Sequence, residues 1–164
     1  MKYSFILIAI LISTLSKAQV AVRVDQWTSL ELPNGAVKYK DDIDTAKLDY
    51  LGKILYKLDN SNAYLYKNVI VRFHKGTNKG TAEEMDNKKA NLSRMSTKNS
   101  SFTENYFMRN GRKILQYSYQ SNSQRHTKII SFNPKTKIQF GFKVSAKAQD
   151  LAVADSLIEQ ILND

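Results

Sequence analysis

From residue 101 to residue 145 apolar and polar side chains alternate with little interruption, a period-two pattern that predicts strands. Leu115, Tyr117 and Tyr119 share one side of a strand over 112–120, Ile130 and Phe132 one side of 128–132, and Ile138, Phe140, Phe142 and Val144 one side of 137–145. Gln116, Ser118, Gln120, Ser131, Lys137, Gln139 and Lys143 take the alternate positions. Asn110-Gly111 joins 102–109 to 112–120 and is the two-residue signal of a type I′ hairpin. Asn133-Pro134-Lys135-Thr136 joins the last two strands, with Pro134 suited to the second position of a type I turn. The pattern predicts an antiparallel meander with one face in a core and the other wetter.

Before the meander the period changes. Val20, Val22 and Val24 alternate with Ala21, Arg23 and Asp25, which predicts a strand over 20–32 that Pro33-Asn34-Gly35 ends. Leu48, Leu51, Leu55 and Leu58 then recur at helical spacing and predict a helix over 45–58, with Asp44 or Thr45 as N-cap. Residues 63–74 (AYLYKNVIVRFH) are β-branched and aromatic, and predict one strand. Thr81 and Glu84 have the form of a capping box ahead of a helix over 81–97, whose thin apolar stripe of Met85, Leu92 and Met95 predicts a largely exposed element. Leu151, Ala154, Leu157 or Ile158, and Ile161 predict a closing helix over 148–162 that covers the apolar side of the sheet. The sum is an α+β fold, an antiparallel β-sheet with packed helices, in a single domain over 19–164.

The first residues read differently. Lys2 precedes a thirteen-residue apolar stretch, 3–15, and Ser16-Lys17-Ala18 places small residues at the −3 and −1 positions of a cleavage site before Gln19. A membrane span needs about 20 apolar residues, so 1–18 is expected to be a cleaved signal peptide and the mature chain to be periplasmic or secreted. A small residue followed by Gln resembles the signal peptides of Bacteroidota. With no cysteine in the chain, lipid anchoring, disulfides, thiolate nucleophiles and sulfur metal sites are all excluded. The remaining 146 residues suffice for one core that buries about 68–70% of the unfolded surface.

The order of elements, taken with ELPNGAVKY at 31–39 and AKAQDLAVADSLIEQIL at 146–162, resembles the small exported PsbP-like proteins. That resemblance implies an α/β/α sandwich around an antiparallel sheet, and binding or accessory roles ahead of catalysis. The polar alternate positions of 112–145 fit a two-layer variant better than a sheet covered on both faces.

Charge is distributed unevenly along the chain. Residues 65–149 carry seventeen basic and four acidic side chains, and from Asn105 to Gln149 there are nine Lys or Arg and no acid. Arg109, Arg112, Lys128, Lys137 and Lys143, with Arg125 and Lys135, form a candidate binding surface for an anionic partner: an envelope glycolipid, a polysaccharide or an acidic protein. Lysines guarding edge strands are the plainer explanation. Nucleic acid does not suit an exported chain, and the alternation places Tyr117 and Tyr119 on the core side, away from stacking.

Catalytic groups are scarce. His74 and His126 are the only histidines, and a hydrolase would need one of them beside a distant acid. Glu83, Glu84 and Asp86 complement a helix dipole, and Asp41, Asp42 and Asp44 precede the other helix in the same way. Gly76–Gly80 (GTNKG) lacks the spacing of a phosphate loop. Neither a catalytic set, a metal site nor a cofactor is expected. Thr45 and Ser156, in Asp44-Thr45-Ala46 and Asp155-Ser156-Leu157, resemble the Asp-Ser/Thr-aliphatic sites that Bacteroidota glycosylate after export.

Overall fold

Hairpin chemistry sets most of the architecture in the computed structural model, which describes residues 19–23, 29–40, 62–74, 80–96, 101–121 and 123–163. Residues 1–18, the predicted helix over 45–58 with Thr45 and Asp41, Asp42 and Asp44, and most of the Gly76–Gly80 connection lie outside the described residues. Strands β1 (Val20–Arg23) and β2 (Ser29–Leu32) pair antiparallel as a separate two-stranded sheet. The single strand expected over 20–32 is therefore two, because pairing Val22 with Leu30 sends both side chains, with Leu32, into the core.

Seven strands make the main sheet: β3 (Val37–Lys38), β4 (Ala63–Tyr66), β5 (Val69–His74), β6 (Thr103–Arg109), β7 (Arg112–Ser121), β8 (Gln124–Phe132) and β9 (Gln139–Lys147). Their spatial order is β3-β4-β5-β9-β8-β7-β6, and every pairing is antiparallel. The expected strand over 63–74 is also a hairpin. Lys67 and Asn68 take φ values of 45° and 65°, the two positive angles that a type I′ turn requires. Asn110 and Gly111 do the same at 49° and 71°, as their sequence predicts.

Helix α1 (Ala82–Ser96) begins at the expected capping box: Glu84 N–H donates to Thr81 Oγ1 at 3.1 Å, and Thr81 N–H donates to Glu84 Oε2 at 3.3 Å. Helix α2 (Leu151–Asn163) follows a 3-10 turn over Ala148–Asp150. The two helices lie on opposite faces of the sheet. On the first face, Ala154, Leu157, Ile158, Ile161 and Leu162 of α2 pack with β1–β2 and with Val69, Val71, Phe73, Ile129, Phe140, Phe142 and Val144. On the second, Met85 of α1 packs against Leu115 and Phe132, flanked by Leu92, Tyr106 and Ile130.

That division corrects the expected single apolar side. Phe132 pairs with Gln139, and Ile130 with Gly141, so Ile130 and Phe132 face away from Phe140, Phe142 and Val144. Cross-strand partners share a face, and because Phe132 and Gln139 enclose an even number of residues, six, the even positions of β8 lie with the odd positions of β9. Ser131, expected on the wet side, is consequently buried at 1% exposure in the α2 core.

Met85 is the bolt of the smaller core, fully buried and carried by an otherwise polar helix. Replacing it with alanine is expected to cost about 2–5 kcal/mol. Hydrogen exchange in Met85→Ala should show α1 amides losing protection well before those of β8 and β9; uniform loss would mean that α1 and the sheet unfold as one unit.

Candidate functional site

The strands of the main sheet carry nine Lys or Arg and a single carboxylate, Glu104. Cross-strand partners share a face, so the register sorts these charges. On the α2 face the arginines are occupied by structure. Arg109 donates to Glu159 Oε2 and Asn163 Oδ1, both at 2.8 Å, and Arg125 pairs with Asp155, so the two arginines clamp α2 along its length. Arg112 lies 4.9 Å from the centroid of the Phe140 ring, and burial lowers its pKa.

The second face is organised in rows across the strands. One row runs Arg72, Lys143, Lys128, Tyr117, Glu104 from β5 to β6. Neighbouring strands lie about 4.8 Å apart, so three cations stand side by side within about 10 Å of backbone. The next row runs Leu65, Ile70, Ser145, His126, Tyr119. Tyr117 and Tyr119 keep the side of Leu115, as alternation predicts, and that side also carries Lys128 and Lys143. Both are half-buried, Tyr119 lying 5.2 Å from the His126 ring.

Of the five residues proposed from sequence, the structure brings together Lys128 and Lys143, directly opposed across β8 and β9. Arg109 and Arg112 are on the other face. Lys137 leaves the sheet: Asn133 Oδ1 accepts from Lys135 N–H and Thr136 N–H, Lys137 takes a φ of 63°, and β9 starts only at Gln139. Lys137 is exposed beside the start of α1, where Gly80 N–H donates to its carbonyl at 3.0 Å. Arg72, absent from the sequence-based set, joins the row because β5 pairs with β9. Its alternation opposite Val71 and Phe73 was the available signal. Ser156 lies on the exposed side of α2.

His126 Nδ1 and Ser145 Oγ are 2.8 Å apart. Burial and then the Lys143 charge, with Arg72 adding to them, hold the imidazole below the usual histidine range, against a backbone hydrogen bond with Ser121 that acts the other way. A neutral ring can accept the Ser145 hydroxyl proton. Ser145 is 3% exposed, and no carboxylate among the described strand residues adjoins His126. His74 pairs with Gly141, four residues along the sheet from the His126 row, about 13 Å away, so the two histidines do not meet. Among the described residues no three His, Asp or Glu gather into a metal site.

The lowered histidine has a consequence for pH. Stability associated with His126 is complete above about pH 6.5, the unfolded value, and is lost as pH falls from there through the lower folded value, because the unfolded chain takes up the proton first. Thermal melting of His126→Gln should be flatter than the parent between pH 7 and pH 5. Parallel curves would remove His126 as the source of the acid sensitivity.

Below these rows the sheet, the β4–β5 turn and the 3-10 turn enclose a cleft of about 360 Å³. Tyr39, Leu65 and Ile70 supply its apolar wall, Asn68, Gln124 and Gln149 its carboxamides, and Lys147 a cation beside Gln124. Comparison with models of known protein families finds no match, and no curated protein matches the sequence. Among the described residues no helix is long and apolar enough to cross a membrane.

Proposed function

We propose that this chain is an exported, non-catalytic binding or accessory protein of the cell envelope, a small PsbP-like domain that receives an anionic partner on its second sheet face. The reading rests on one observation: Arg72, Lys143 and Lys128 occupy adjacent positions on three neighbouring strands. Like charges directly opposed across a sheet are destabilising, and departures of this kind from local rules concentrate at functional sites. The apolar stretch and small-residue cleavage pattern of 1–18 support export. An envelope glycolipid, an acidic polysaccharide or an acidic protein has the required charge.

A docking role as a structural subunit has less behind it. Val37 and Met108, the large apolar side chains exposed among the described residues, sit on opposite edge strands and form no patch. A hydrolytic reading draws on the His126–Ser145 hydrogen bond alone. The test is binding of polyanions across a salt series by the parent and by Lys128→Glu, beside a hydrolase screen of the parent and His126→Ala. Salt-sensitive binding that Lys128→Glu weakens supports the proposal; histidine-dependent turnover would replace it with the enzyme.

A further inference from the structure

The cleft and the cationic row are contiguous. Ser145 and Ile70 line the cleft, and two residues along the same strands, about 7 Å away, stand Lys143 and Arg72. At the other end of the cleft, Asp150 Oδ2 is buried and has no hydrogen-bond partner. An unsatisfied buried acceptor calls for a donor, and the carboxamides of Asn68, Gln124 and Gln149 offer both donors and acceptors nearby. The site therefore carries an acceptor, three amides and Lys147 at one end, an aliphatic and aromatic wall between, and Lys143 with Arg72 at the other.

Building on the anion-binding reading, we propose that the cleft and the row form one site for an acidic saccharide. The sugar hydroxyls donate to Asp150 and exchange hydrogen bonds with Gln124, Asn68 and Gln149, the ring lies along Tyr39 and Ile70, and the carboxylate points to Lys143 and its row neighbours. Two observations favour a saccharide over a peptide acid. The volume, about 360 Å³, falls within the range of about 300–1,000 Å³ usual for small-molecule sites. The polar lining is amide-rich and suited to hydroxyls.

Calorimetric titration with trigalacturonate and with poly-L-glutamate, at low salt, separates the possibilities. Expected are saturable binding of trigalacturonate by the parent, and an approximately tenfold weakening in Asp150→Asn and in Gln124→Ala, with poly-L-glutamate binding unmoved by either change. Gln149 is exposed, so Gln149→Ala keeps the test usable if a wall variant folds poorly. Trigalacturonate binding that ignores all three cleft changes but weakens in Lys128→Glu would overturn the cleft assignment and leave the anion-binding face standing. Binding of poly-L-glutamate alone would overturn the saccharide. Failure of both probes to bind would remove the basic face itself as a site.

Discussion

Phe142→Ala is expected to lower stability by about 3–5 kcal/mol, a large share of the roughly 5–15 kcal/mol that holds a domain of this size together. Phe142 has no exposed surface and sits on β9, the strand with β5 on one side and β8 on the other. Its ring lies 5.9 Å from Phe73 and 6.2 Å from Phe140, and Ile129 is its direct cross-strand neighbour. Truncation removes those contacts and opens a void that well-packed strands cannot close. At about 2–4 °C per kcal/mol, the melting temperature should drop by about 6–20 °C. Val37→Ala, on an edge strand at 55% exposure, should stay within about 0.5 kcal/mol. Urea melts of the three proteins provide the measurement. A loss under about 1 kcal/mol in Phe142→Ala would place the core elsewhere.

Lys128→Glu should raise stability while it weakens polyanion binding. The substitution turns the opposed Lys128–Lys143 pair into one of opposite charge, and a pair of that kind contributes about 0.2–1 kcal/mol, with relief of the like-charge contact added to it. A gain near 1 kcal/mol corresponds to about 2–4 °C in melting temperature. Net charge meanwhile falls by two within the row that the anion meets, and affinity should fall at least tenfold at low salt. The difference between parent and variant should shrink as ionic strength rises, because exposed charges are screened over about 10 Å at 0.1 M. Salt should also stabilise the parent more than the variant. If stability and binding fall together, the lysine is a structural residue and the row is not a binding surface.

Much of the local structure was written in short segments. Asn110-Gly111 fixes one hairpin because only residues tolerant of positive φ make a type I′ turn, and Thr81 with Glu84 fixes a helix start because the two satisfy each other's backbone donors. The apolar stripe of α2 likewise announces a covering helix. Lys67-Asn68 was less legible: neither residue is glycine, and the apolar runs on either side read as one strand until β4 folds back on β5.

The candidate site was legible only in part. Lys128 and Lys143 could be placed on strands from alternation, and the acid-free run from Asn105 to Gln149 marked the region as basic. Composition could not distinguish an arginine that clamps α2 from a lysine in a row on the opposite face. By charge alone Arg109 and Arg112 belong with the lysines; only their contacts with α2 and Phe140 separate them.

The Asn110-Gly111 turn, the Thr81–Glu84 cap, the α+β class and the basic bias of the meander are readable from the chain alone, because each depends on neighbours within a few residues. Tertiary structure decided which faces coincide. Arg72 and Lys143 are seventy-one residues apart and meet only because β5 pairs with β9 in one register. Side chains alternate every residue, so a slip of β5 by one position would send Arg72 to the α2 face and leave Lys143 and Lys128 without it. Nothing in the local pattern of either strand specifies that register. It is set by burying Val71 and Phe73 beside Val144 and Phe142, and the cationic row is what that burial leaves on the other side.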